Sequence, residues 1–249
     1  MSQQEIRNAS RILRSASHVM ALTGAGISTP SGIPDFRSPS SGLWQQVDPF
    51  IVASIWGFQD TPTAFYRWFV PLARQIRHAQ PNPAHHALAE WEHKGLLPLI
   101  VTQNIDGLHQ AAGSSEVVEL HGHLRSASCL SCRQQVSTEI LWPLVERGQI
   151  IHCEACNGLV KPDVILFGEP LEYENLRKAQ QAALECDVVI AVGSSLEVEP
   201  AADLPYLAKR QGAKIILINR EPTRADSIAD VVIRGDAATI LPALAHACR

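Results

Sequence analysis

Two cysteine pairs, Cys129-Leu-Ser-Cys132 and Cys153-Glu-Ala-Cys156, stand twenty residues apart and constrain this chain more than any other feature. Knuckles so spaced bring four thiolates into a tetrahedron around zinc, and four protein thiolates leave no coordination position for water. The metal is therefore expected to staple a small module together and to contribute no Lewis-acid chemistry. Two disulfides are the alternative reading, and the lack of a secretory signal weighs against them. His152 adjoins Cys153, but four thiolates already complete the tetrahedron. Cys186 and Cys248 read as ordinary thiols.

Outside that module, strand-like runs alternate with helical stretches: His18–Thr23, Leu97–Thr102, Val117–Leu120, Val164–Phe167, Asp187–Val192, Lys214–Ile218 and Val231–Ile233. Continuous aliphatic runs such as Val188 to Val192 indicate strands buried on both faces, as in a parallel sheet between helical layers. The expected class is α/β, a Rossmann-like parallel sheet with helices on both faces, plus a smaller zinc-binding domain formed from two insertions. Residues 1–39, 81–123 and 161–249 would form the main domain. Residues 40–80, aromatic and helical, and residues 124–160, with the cysteines, would form the small one.

With 249 residues, 46% of them hydrophobic, the chain suits one large domain with a satellite. The balance of 21 basic and 25 acidic residues, with no basic block, argues against a nucleic-acid partner. The loop from Arg133 to His152 offers only Arg133 and Arg147 as strong cations against Glu139 and Glu146, so it too lacks a phosphate-tracking face. No apolar run approaches the roughly 18 residues of a membrane helix. A cytoplasmic protein with no membrane association is expected. Arg7, Arg11 and Arg14 among serines raise a transit peptide as an alternative, but Glu5 and the strand that follows favour a covering helix.

Chemistry-bearing residues gather at the predicted strand ends. His18–Thr23 runs into Gly24-Ala25-Gly26-Ile27-Ser28, a glycine turn that would let backbone amides approach a pyrophosphate. A tight strand-exit turn is the plainer reading. A third glycine is absent, since Thr29 takes its place, and no dehydrogenase-like helix and ribose-binding acid follow. Gln103-Asn104-Ile105-Asp106 sits at the carboxyl end of the second strand, where open α/β sheets bind ligands, although Asn104 or Asp106 could simply cap a helix. His121, beside Gly122 at a strand end, has the side chain suited to general-base work near neutral pH. His123 is a second candidate; His109 is expected to support the fold, and His85, His86 and His93 to lie on a helix beginning after Pro83.

The ordered set of Gly24-Ala-Gly-x-Ser28, Ser31-Gly-Ile-Pro-Asp-Phe-Arg37, Gly42-Leu-Trp44, Gln103-Asn-Ile-Asp-x-Leu-His109 and His121-Gly122 resembles the sirtuin family from about His18 to Ala243. The resemblance implies an NAD-dependent protein lysine deacetylase or deacylase, consuming NAD as co-substrate and yielding nicotinamide, O-acyl-ADP-ribose and free lysine. It counts Gly24, Ala25, Gly26 and Ser28 among the NAD-binding residues, with Ala25 and Arg37 on the diphosphate and Phe36 shielding the ribose and nicotinamide. The loop from Asp35 to Trp44 would close over NAD. Asp106 and the Ile105 backbone would hold the carboxamide, Asn104 a catalytic water and the ribose, and Gln103 the ribose hydroxyls. His121 would be the catalytic base. Gly193, Ser194 and Ser195 would contact phosphate and adenosine, Asn219 and Arg220 the adenosine ribose, and Ala237 the adenine.

Val164 and Phe167 would line the acyl-lysine tunnel, with Gly168, Glu169 and the Glu197–Glu199 stretch pairing with the peptide backbone. Succinyl-selective sirtuins carry Tyr-x-x-Arg in the small domain; here Tyr66 is kept and Phe69 stands in the arginine's place, so neutral acyl groups should be preferred. Thr29-Pro30, Ser194 and Asn157-Gly158 are modest departures from the family pattern. Acylated-lysine proteins are the expected partners, and the oligomeric state is left open. The alternatives are mono-ADP-ribosyl transfer from the same pocket and a zinc-stapled NAD-binding module without activity.

Overall fold

The computed structural model describes residues 3–36, 42–45 and 47–248. Among the described residues are nine strands: β1 (Val19–Thr23), β2 (Leu99–Thr102), β3 (Val117–Glu119), β4 (Gly122–Cys129), β5 (Gln135–Ser137), β6 (Val160–Val164), β7 (Val188–Val192), β8 (Lys214–Asn219) and β9 (Val231–Arg234). The helices between them are α1 (Gln3–Ser15), α2 (Pro49–Val52), α3 (Ile55–Asp60), α4 (Pro62–His78), α5 (Pro83–His93) and α6 (Leu108–Ala111). They continue as α7 (Thr138–Glu146), α8 (Tyr173–Glu185), α9 (Leu204–Arg210) and α10 (Ala237–Ala247).

Six strands form a parallel sheet in the order β3-β2-β1-β7-β8-β9. Alternate residues of its buried strands serve opposite faces, as the pleat requires. Val19, Ala21, Ile190 and Ile216 pack under α1, α5 and α10 through Leu13, Trp91 and Leu241, whereas Met20, Leu22, Val189 and Ile215 pack under α8 and α9 through Ala183 and Ala208. The succession reverses between β1 and β7, so the carboxyl ends of those two strands flank a topological switch point, the usual ligand site of such sheets.

The second sheet, β5-β4-β6, is antiparallel. The run Val164–Phe167, expected as a strand of the large sheet, instead divides. Val164 ends β6 beside β4, while Phe167 makes an isolated parallel bridge with Ser54. Sequence alone could not assign the partner, because an apolar run of four residues fits either sheet. The small sheet and α4 share one apolar cluster, in which Phe65, Tyr66 and Phe69 meet Ala127, Cys129, Val160 and Val164. Among the described residues no helix is long and apolar enough to cross a membrane.

Candidate functional site

Two glycine turns meet at the switch point. The Gly24 amide donates to the Val192 carbonyl at 3.0 Å and the Gly26 amide to the Gly193 carbonyl at 2.8 Å. A Cβ on Gly24 would stand 2.9 Å from the Gly193 oxygen, and one on Gly26 2.8 Å from the Gly193 Cα. Glycine is thus required where the two backbones cross. The anticipated role of these amides changes accordingly: those of Gly24 and Gly26 are turned into the protein, so they do not serve an anion.

From this crossing a cavity of about 630 Å³ extends between the large sheet and the small domain. Its lining includes Gly24, Ala25, Gly26, Ser28, Asp35, Phe36 and Trp44 from the first loop, and Gln103, Asn104, Ile105 and Asp106 from the end of β2. His121 faces the same space. Val164, Phe167, Gly168 and Glu169 form one wall; Gly193, Ser194, Ser195, Asn219, Arg220 and Ala237 line the part beyond the glycine crossing. Arg37 lies outside the described residues. Tyr66 does not reach the cavity: its hydroxyl donates to the Val160 carbonyl at 2.9 Å inside the small domain, so the anticipated substrate contact gives way to a core role. Burial pushes its phenol well above the ordinary value.

Missed in the sequence were Phe65, Trp68, Leu72 and Ile76, which line the cavity on α4 together with Phe69, the residue the sequence had tied to acyl choice. Residues 65, 69, 72 and 76 recur at helical spacing, a signal that marks an apolar face without saying whether it meets core or ligand. Phe36, Trp44 and Trp68 stack in series, with ring centroids 5.1 and 5.4 Å apart, and Trp44 also meets Phe167 at 6.2 Å. The Trp44 indole nitrogen is buried with no hydrogen-bond partner among the described residues.

Polar groups on the opposite side form one network. Ser28 Oγ donates to Asp106 Oδ2 at 2.7 Å, the Leu108 amide donates to Asp106 Oδ1 at 2.9 Å, and Asn104 Nδ2 donates to the Gly24 carbonyl and to Ser28 Oγ, both at 3.2 Å. Burial nevertheless raises the Asp106 carboxyl above its usual range. Gln103 Nε2 donates to Ser194 Oγ at 2.9 Å, tying the second strand end to the β7 turn. His121 Nδ1 lies 3.0 Å from the Gln103 carbonyl, which can only accept; the proton of the neutral ring therefore sits on Nδ1, and the basic lone pair on Nε2.

Behind the network, His85 and His109 pack ring against ring at 5.0 Å, both buried. His85 Nδ1 accepts from the Asn82 amide, completing the cap of α5, and His109 Nε2 lies 2.9 Å from Thr23 Oγ1. Burial lowers their pKa values to about 4 and about 3 from 6.5. The folded protein keeps both neutral while the unfolded chain takes up protons below 6.5. Stability is thus full above 6.5 and declines as the pH falls toward 4, by about 1.4 kcal/mol per unit for each ring. Thermal midpoints from pH 7 to 4.5 check this: a His109→Gln variant should show a distinctly shallower decline than the parent, and an identical slope would contradict the assignment.

The four cysteine sulfurs lie within 4.8 Å of one another, with Cys129 and Cys156 3.5 Å apart and Cys132 and Cys153 3.6 Å apart. Four ligands at the Zn–S bond length in a tetrahedron would be about 3.8 Å apart, whereas a disulfide needs about 2.05 Å. The donor set fits zinc.

A family model described as the Sir2 family matches residues 24–200. The chain belongs to the Sir2 family. Within the family, it is 47% identical to NAD-dependent protein deacylase 2 of Archaeoglobus fulgidus over 241 residues, covering 96% of this chain and 94% of that protein. A structure from work on the mechanism and regulation of Sir2 enzymes superposes with a TM-score of 0.94 at 46% identity, covering 99% of this chain and 98% of that one. A Sir2 variant with a deacetylated p53 peptide and 3′-O-acetyl-ADP-ribose superposes at 0.93, with 36% identity and coverage of 99% and 98%. This member of the Sir2 family thus shares its architecture with relatives over essentially its whole length.

Proposed function

We propose that this chain is an NAD-dependent protein-lysine deacylase, turning acyl-lysine, NAD and water into free lysine, nicotinamide and O-acyl-ADP-ribose. The observation that carries the reading is that a base, a half-buried amide-and-carboxyl pocket and an apolar wall all face one cavity. The relative holding a deacetylated peptide beside O-acetyl-ADP-ribose supports acyl transfer over the mono-ADP-ribosyl transfer alternative. Bound NAD supplies an electrophilic sugar carbon and a nicotinamide leaving group.

Asp106, held by Ser28 and Leu108, receives the carboxamide together with the Ile105 backbone, while Asn104 and Gln103 orient the ribose. His121, with its lone pair on Nε2, accepts a proton from a ribose hydroxyl as the acyl oxygen is engaged. Phe36 and Trp44 shut out competing water. Ala25 and Arg37 attend the diphosphate, Ser194 and Ser195 the phosphate and adenosine, and Asn219, Arg220 and Ala237 the adenosine. Val164 and Phe167 enclose the acyl-lysine, and the backbone at Gly168 and Glu169 pairs with the peptide. Cys129, Cys132, Cys153 and Cys156 hold zinc as a structural staple. The main domain comprises residues 1–39, 81–123 and 161–249, with β6 reaching from it into the small sheet, and the protein works in the cytoplasm on acylated-lysine proteins.

Mass spectrometry of an acyl-peptide panel with NAD tests the reading: loss of the acyl mass supports it, and gain of ADP-ribose in its stead supports transfer to the peptide. The panel also tests acyl choice. Phe69 stacks on Phe65 at 4.8 Å in the cavity wall, and the one lysine or arginine among the described lining residues, Arg220, is paired with Asp236 at 2.5 Å beyond the glycine crossing. A succinyl carboxylate would be desolvated without a partner, so kcat/KM for succinyl-lysine should fall on the order of 100-fold below acetyl-lysine. Equal rates would contradict the neutral-acyl preference.

A further inference from the structure

Lys161 is a buried cation that the chemistry above leaves unused. It sits on β6 with 6% of its surface exposed, and its ammonium meets three acceptors: the Val164 carbonyl at 2.6 Å, Glu169 Oε2 at 3.0 Å and the Pro162 carbonyl at 3.1 Å. Three acceptors match its three N–H bonds. The same Glu169 oxygen accepts the Leu166 amide at 2.8 Å, and the Glu169 amide donates to the Leu166 carbonyl at 3.0 Å. Residues 164–169 are thus wound around one ion pair.

That segment carries Val164, Phe167 and Gly168 to the cavity and is anchored at two further points. The Ile165 amide donates to the carbonyl of His121 at 2.9 Å, and Phe167 exchanges backbone bonds with Ala53 and Ile55 at 2.9 and 3.0 Å. A change in the winding of 164–169 would be felt at the wall for the acyl-lysine and at the backbone of the base. The glycine crossing and the groups around Asn219 and Ala237 belong to other elements and have no bond to the pair.

We propose that Lys161 and Glu169 act as positioning residues for acyl-lysine recognition, the ion pair setting the shape of the 164–169 wall relative to His121 while leaving the NAD half of the cavity unchanged. The proposal rests on the deacylase reading. A buried charge that loses its partner is strained far more than a site from which both charges are gone. The single changes Lys161→Met and Glu169→Gln should therefore each do more damage than the two combined, and Lys161→Arg, which keeps the charge, should recover part of the loss.

The test measures Kd for an acetyl-lysine peptide and, separately, for NAD by titration calorimetry, together with turnover, on the zinc-loaded protein. Lys161→Met and Glu169→Gln should each weaken peptide binding about tenfold, with the NAD Kd within twofold of the parent. The double variant should lie closer to the parent than either single one. Peptide affinity unchanged in both single variants would overturn the proposal. So would additive losses, or a parallel loss of NAD affinity that marks general unfolding. A parent protein that neither binds nor deacylates the peptide would instead overturn the deacylase reading and, with it, the positioning role of the ion pair.

Discussion

Replacing His121 with alanine is expected to lower kcat/KM for an acetyl-lysine peptide by about 10² to 10⁴, the usual worth of a positioned general base, while NAD affinity stays within about twofold. The split follows from the geometry. His121 meets the cavity where the Gln103 carbonyl fixes its tautomer, whereas the glycine crossing and the Gln103 to Ser194 bond that shape the NAD side do not involve the imidazole. Loss of NAD binding in parallel would reassign His121 to a structural role. Steady-state kinetics beside a fluorescence titration of NAD separates the two outcomes.

The second large effect concerns zinc. Cys129 and Cys153 belong to the same apolar cluster as Phe65, Tyr66 and Phe69, so the metal staple and the α4 side of the cavity share one core. Structural zinc contributes on the order of 10 kcal/mol to a small folded module. Removal of zinc by excess chelator is expected to abolish deacylation and to lower the thermal midpoint by more than about 10 °C, with recovery on return of the metal. Cys153→Ser should give the same loss. Full activity in protein shown to be metal-free would contradict the staple.

The large sheet could be read from the sequence because its strands are uniformly aliphatic: Val188 to Val192 is buried along its whole length and pairs on both edges. The cysteine spacing likewise announced its tetrahedron, since a knuckle of four residues fixes both sulfurs by itself. What escaped depended on contacts distant in sequence. Phe167 pairs with Ser54 and Tyr66 spends its hydroxyl on Val160, partners that no local pattern specifies. The helical period of Phe65, Phe69, Leu72 and Ile76 was visible, yet only packing shows that this face borders a cavity. Nothing local in the sequence marks Lys161 as buried, because its three acceptors are assembled only by the fold.

The stoichiometry of NAD cleavage and acyl removal tests most directly whether one cavity couples the two. In a reaction of the purified protein with NAD and an acetyl-lysine peptide, one nicotinamide should appear for each acetyl group lost, with that group recovered on ADP-ribose. Nicotinamide released while the peptide keeps its acetyl group, or acetyl lost without consumption of NAD, would contradict that coupling.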